Sequence, residues 1–176
     1  MSTTTLVQAI RTGNLEAVKQ LIGQGAQVNQ AKNLLSDWLP QSPSPLLEAV
    51  EQEQLEIATA LLEAGADTND TTSGTTALKL AVRKNNPDLV KLLLAWGALP
   101  DKKGKQDGTT PLLKAALYSQ IEVVRILLEN HADPDIVLNN PHLYKVRGPV
   151  IQMLIDAGGA ASPEVIKMLA DGHARS

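Results

Sequence analysis

From Leu15 to Asn29 the chain reads "LEAVKQLIGQGAQVN", with apolar residues at Leu15, Val18, Leu21 and Ile22. Steps of three, three and one put them on a single stripe of a helix, and the pattern ends at Gly25. Four later stretches repeat it: "LEIATALLEAGADTN" (Leu55 to Asn69), "DLVKLLLAWGALPD" (Asp88 to Asp101), "IEVVRILLENHADPD" (Ile121 to Asp135) and "PVIQMLIDAGGA" (Pro149 to Ala160). Their stop residues are Gly25, Gly65, Gly97, His131 and Gly158, separated by 40, 32, 34 and 27 residues. Self-similarity at a period of roughly 20–50 residues marks a solenoid, in which each unit buries its apolar stripe only against its neighbours. A helix commonly ends on a residue of positive φ, usually glycine, and histidine is among the side chains that tolerate that conformation.

Each unit has an earlier half. A leucine stands 19 residues before each of the first four stops, at Leu6, Leu46, Leu78 and Leu112, and three residues later comes Ala9, Ala49, Ala81 or Ala115. Small residues there let a first helix pack closely on its neighbours. Pro87, Pro149 and Pro163 fall at expected first helical positions, where a missing N–H costs nothing. A unit of helix, turn, helix and turn, opened by "TPL" and closed by "GA", resembles the ankyrin repeat. The nearest match is "DGTTPLLKAALYSQIEVVRILLENHAD", Asp107 to Asp133, with weaker openings "TTLVQAI" at Thr4, "SPLLEAV" at Ser44 and "TALKLAV" at Thr76. The family's histidine after the leucine is replaced by Val7, Leu47, Lys79 and Leu113, so the Thr–His hydrogen bond that the resemblance implies is missing. The expectation is an all-α ankyrin-repeat solenoid over 1–176. Its repeats are 4–29, 44–69, 76–101 and 110–135, with a truncated unit at 139–160, a capping helix at 162–172 and an insertion at 30–43.

Composition narrows the core and the chemistry. The chain has no Phe and only Trp38, Trp96, Tyr118 and Tyr144 as aromatics, so its core must be aliphatic. It has no Cys, which removes disulfides, thiolate metal sites and a thiol nucleophile. A net charge of −3 gives no global attraction to nucleic acid. The start "MSTTTLVQAI" has neither a basic n-region nor an apolar h-region, and no apolar run nears the roughly 20 residues of a membrane span. A soluble, cytoplasmic protein is expected.

No catalytic or cofactor site emerges. His131 reads as a helix stop, His142 follows Pro141 in a loop, and His173 lies in the last four residues. None pairs at metal-ligand spacing or neighbours a nucleophile. The acidic run Asp67 to Gly74 fails as a calcium loop, because glycine is eighth rather than sixth and Leu78 stands where a glutamate is needed. "KKGKQDGTT" lacks the residue order of a phosphate loop.

Surfaces remain. The resemblance implies a non-catalytic protein-binding module, an adaptor or assembly factor that uses turn tips and the outward side of the first helices, monomeric when free. Counting along those helices, the expected exposed positions are Gln8, Arg11 and Thr12; Glu48, Glu51 and Gln52; Leu80, Arg83 and Lys84; and Lys114, Leu117 and Tyr118. Charge separates along the chain. Between Lys32 and Lys79 there are eight Asp or Glu and no Lys or Arg. From Lys79 to Lys114 there are eight basic residues, including the turn lysines Lys102, Lys103 and Lys105, against Asp88, Asp101 and Asp107. A protein partner with an acidic segment is expected on this basic strip, with Leu80, Leu117 and Tyr118 as apolar contacts and Glu48 and Glu51 as an acidic wall. The alternative is a phosphate-contacting module that uses the same strip on nucleic acid, disfavoured by the net acidity and few aromatics. The insertion carries Leu34, Leu35, Trp38 and Leu39, apolar enough to be either a lid over the first repeat or a hydrophobic finger for a partner.

Overall fold

The protein is seen in a computed structural model that describes residues 3–29, 44–71, 73–105 and 108–170. The insertion with Trp38 lies outside the described residues. Among those described, all regular structure is helical. Four pairs of helices come first: α1 (Thr3–Arg11) with α2 (Leu15–Gly23), α3 (Pro45–Glu51) with α4 (Leu55–Glu63), α5 (Ala77–Arg83) with α6 (Pro87–Ala95), and α7 (Pro111–Leu117) with α8 (Ile121–Glu129). After them stand the four-residue α9 (Asp135–Leu138), a 3-10 turn at Leu143–Lys145, α10 (Gly148–Asp156) and α11 (Pro163–Ala170). The first helices touch in the order α1, α3, α5, α7, and the second in the order α2, α4, α6, α8, α10, so the chain builds two parallel rows.

The aliphatic stripes form the core between these rows. Leu6, Leu46, Leu78 and Leu112 are buried, as are Ala49, Ala81 and Ala115 three positions on and Val18, Leu61, Leu93 and Leu127 on the second helices. Ile121 departs from the expected stripe: it begins α8 and is 38% exposed, while Val123 and Ile126 take the buried places.

Two backbone positions recur with the repeat. Gly25, Gly65, Gly97, His131 and Gly158 all have positive φ, with His131 at 63°, as its role of helix stop requires. Twelve residues before the first four of these, Gly13, Glu53, Asn85 and Ser119 also turn left-handed, at φ 66°, 56°, 52° and 56°. These positions close the first helix of each pair, and three of the four carry side chains. The residue after each caps or leads the second helix. Asn14 and Asn86 accept from the N–H groups of Ala17 and Leu89, whereas Gln120 Nε2 donates to the Val82 carbonyl of the preceding pair at 2.9 Å.

Where the resemblance implied a Thr–His bond, threonine serves the helix instead. Thr76 and Thr110 are buried N-caps that accept from the N–H groups of Lys79 and Leu113. The fifth unit is short, as expected. α9 packs against α7 and α10, and the 3-10 turn stands where a full first helix would continue.

A further ladder joins successive turns four residues after each stop. Asn29 Nδ2 donates to the Gly65 carbonyl at 2.8 Å, and its Oδ1 accepts from the Asp67 N–H at 2.8 Å. Asn69 does the same with the Gly97 carbonyl and the Leu99 N–H. Asp101 and Asp135 keep only the accepting half, from the N–H groups of Asp133 and Ala160. A carboxylate has no hydrogen to give a carbonyl.

Candidate interaction face

The row α1, α3, α5, α7 presents the face on which the sequence places its candidate residues. Between α3 and α5 a cleft of about 250 Å³ opens, lined by Leu47, Glu48, Glu51, Ser73, Thr75, Leu80 and Arg83. Four expected site residues therefore meet around one concavity: Glu48, Glu51, Leu80 and Arg83. Two of them are not exposed as expected. Leu80 is 5% and Glu48 8% exposed, because α3 and α5 each have another first helix on both sides. Gln8, at the matching place on α1, has a first helix beside it on one side only among the described residues and is exposed. Leu80 thus belongs to the floor of the cleft rather than its rim. Leu117 is half-buried against the core.

The charge separation in the sequence closes up in space. Arg11 Nε meets Glu48 Oε1 at 3.0 Å. Glu51 accepts from Arg83 at 2.8 Å through one oxygen and lies 2.9 Å from Lys84 Nζ through the other. The hydrogen bond from Lys84, ahead of the pull of Arg83, holds the Glu51 carboxyl below its ordinary value. The acidic wall is therefore not free-standing: its two glutamates are tied to basic residues of the pairs before and after. On the second row Glu122 meets Lys91 of the preceding pair at 3.8 Å and Arg125 of its own helix at 3.5 Å.

The remaining basic residues divide into two groups. Arg83 and Lys84 stand at the C-terminal end of α5. The turn holding Lys102, Lys103 and Lys105 packs at its other end, where a Cβ on Gly104 would meet the Gly74 carbonyl at 2.9 Å and Lys79 Nζ at 3.1 Å. Lys79 itself is buried, in the place of the family's histidine. Tyr118 caps α7, is 62% exposed and has Lys114 Nζ 6.0 Å from its ring centroid. Sequence reasoning did not single out a second such pair: Tyr144 is 58% exposed, with Lys145 Nζ 5.6 Å from its centroid and His142 set edge-on at 6.1 Å. The signal was present in "HLYKVRG", an aromatic among basic residues in a unit too short for its helix. Trp96 ends α6 and is 44% exposed beside the exposed Leu99. Among the described residues no cluster of His, Asp and Glu could hold a metal ion, and no helix is long and apolar enough to cross a membrane.

Helix pairs stacked in two rows, with side-chain ladders between turns, define a repeat solenoid. A family profile for ankyrin repeats in three copies matches residues 6–104 and again 46–139, and the chain belongs to the ankyrin repeat family. It is similar to the ankyrin repeat and KH domain-containing protein mask-1 of Caenorhabditis elegans, 30% identical over 75% of this chain and 5% of that one. It is also similar to an ankyrin repeat protein of fowlpox virus, 31% identical over 74% of this chain and 38% of the relative. An ankyrin repeat-containing protein of Treponema pallidum is 42% identical over 58% of this chain and 34% of the relative. The chain thus spans well under half the length of each of these relatives. Ankyrin repeats are in general protein–protein interaction modules, and the family is generally non-catalytic.

Proposed function

We propose that this chain is a protein-binding adaptor or assembly factor that holds an acidic segment of a partner along its first-helix row. The observation that carries this reading is the cleft between α3 and α5, where Leu47 and Leu80 make an apolar floor under Glu51 and Arg83. An apolar floor with a charged rim is the anatomy of a recognition site. Exposed Tyr118 on α7 extends the same row with an amphipathic anchor, a residue type enriched at binding hot spots. The partner's carboxylates meet Arg83, Lys84 and Lys114 along the row and Lys102, Lys103 and Lys105 at the turns. The free chain is monomeric and cytoplasmic on this reading. The test is capture from the native source with the wild-type chain and with a Tyr118→Ala, Arg83→Glu, Lys84→Glu variant of matched melting temperature. Proteins retained by the first and lost by the second support the reading; identical captured sets sink it. Nucleic acid bound in moderate salt and lost in that variant would replace it with the phosphate-contacting alternative.

A further inference from the structure

The truncated fifth unit has given up a full first helix, and what stands there is charged and aromatic. From Ile136 to Ile155 there is no Asp or Glu, while His142, Lys145 and Arg147 all fall within it. The nearest carboxylates are occupied: Asp135 Oδ1 accepts from the Ala160 N–H at 2.7 Å, and Asp156 Oδ1 from Gln152 Nε2 at 2.7 Å. Among the described residues no carboxylate pairs with Lys145 or Arg147, and both are exposed. Arg147 stands at the N-cap of α10, where its donor-only guanidinium cannot accept from the free N–H groups of the first turn, and it is exposed.

Counting places this cluster in line with Tyr118. Arg147 immediately precedes α10 as Gln120 precedes α8, 27 residues apart, the same interval that separates the stops His131 and Gly158. Tyr144 then holds the place that Leu117 holds in the fourth pair, and Lys145 the place of Tyr118. α9 against α7 and α10 against α8 stack the fifth unit directly on the fourth. The first-helix row therefore ends in two successive lysine–tyrosine pairs, Lys114 with Tyr118 and Lys145 with Tyr144.

We propose that this end of the row is a docking surface for an Asp/Glu-rich peptide segment, with Tyr144, Lys145 and Arg147 as its new contacts. It rests on the reading that a protein segment lies along the first helices, and it sets where the acidic end of that segment sits. Charge complementarity selects the occupant. The Lys145 ammonium, the Arg147 guanidinium and the Tyr144 hydroxyl all donate, and the two carboxylates of the fifth unit, Asp135 and Asp156, accept elsewhere and pair with neither cation. The chain's net charge of −3 gives a polyphosphate no general attraction, so a carboxylate-bearing peptide fits better than single-stranded nucleic acid.

The experiment uses the full chain with three labelled probes: an oligoglutamate peptide, an oligolysine peptide and oligothymidylate, titrated by fluorescence anisotropy. Oligoglutamate should bind, more weakly as salt rises, and Lys145→Gln with Arg147→Gln should lower its affinity by about tenfold while leaving the thermal melt unchanged. Tyr144→Ser should lower it as well, and Tyr144→Phe, which keeps the ring and loses the hydroxyl, should fall between. Failure of oligoglutamate to bind, or equal binding by wild type and the fifth-unit variants, overturns the proposal. So does oligothymidylate binding as tightly with the same sensitivity to those variants. Binding that is lost on Arg83→Glu, Lys84→Glu but untouched by the fifth-unit variants overturns this inference while leaving the reading of a segment along the first-helix row standing; binding indifferent to both sets removes both.

Discussion

At Asn69 one side chain closes two hydrogen bonds onto the next turn, and at Asp101 the same position closes one side only. Burial raises the Asp101 carboxyl above its ordinary value, against the hydrogen bond from the Asp133 N–H that pulls it down. Asp101→Asn removes that partly desolvated charge and supplies an N–H₂ that can reach the carbonyl of His131, as Asn69 reaches that of Gly97. It should stabilise the protein by about 1 kcal/mol in urea unfolding at pH 7; an unchanged or lower midpoint refutes the ladder account. The pH signs of Asp101 and Glu51 are opposite. Asp101, raised in the folded state, costs stability when ionised, and that cost is relieved as pH falls through its folded value. Glu51, lowered in the folded state, contributes stability above the ordinary 4.5 that is lost as pH falls through its depressed value. Glu51→Gln should therefore flatten the acid side of the stability curve and Asp101→Asn should steepen it, read from urea midpoints at stepped pH. Backbone conformation makes the other residue-scale prediction. Gly65 sits at φ 87°, where valine is strained, and Gly65→Val should cost roughly 1–3 kcal/mol. His131→Gly should be neutral or mildly stabilising, and partner binding lost without loss of stability would make His131 a contact instead.

Among the elements, the helices were legible because their stripes are periodic and their ends are marked. Leucine and alanine at fixed intervals mark α1 to α8, and the stop residues mark where the second helices end. What was not legible follows from what a helix alone cannot reveal. Glu53 and Ser119 turn left-handed with nothing in their side chains to announce it, whereas Asn85 is of a type that tolerates that conformation; the hinge is imposed by packing the two helices of a pair. Leu80 and Glu48 were assigned to a surface by counting positions on one helix, yet their burial is decided by the helices on either side. The ion pairs of Glu51 join residues 32 and 33 apart, a distance over which the sequence shows only two blocks of opposite charge. α11 raises a separate question at this scale. Val165 is buried on it, while Glu164, Ile166 and Lys167 face outward, the division that a terminal cap requires with one apolar exception. A chain ending at Ser162 should uncover the apolar side of the fifth unit and associate in light scattering; a monomer with unchanged melting would show that α11 caps nothing.

For the whole molecule, the joined charges set how the proposed acidic partner would have to arrive. Arg83 and Lys84 are not waiting cations: Glu51 already holds both, and an incoming carboxylate has to share or displace it. Exposed pairs of this kind are worth only about 0–1 kcal/mol, so the exchange is easy, but it weakens the field that steers encounter. Charge should then govern association and its orientation more than affinity. Association with the native partner should slow as salt rises past about 0.15 M, where the screening length is roughly 8 Å. Arg83→Glu with Lys84→Glu should slow it at low salt without unfolding the protein. Tyr118→Ala should act on dissociation, by about 2 kcal/mol, as a central anchor does. Glu51→Gln separates this account from one in which the glutamate is merely a wall. It frees both cations, so association should become faster and more salt-sensitive than in the wild type, measured by surface plasmon resonance across a salt series. A slower association in that variant would mean that Glu51 contacts the partner itself, and the segment on this face would then have to carry a positive charge at that point.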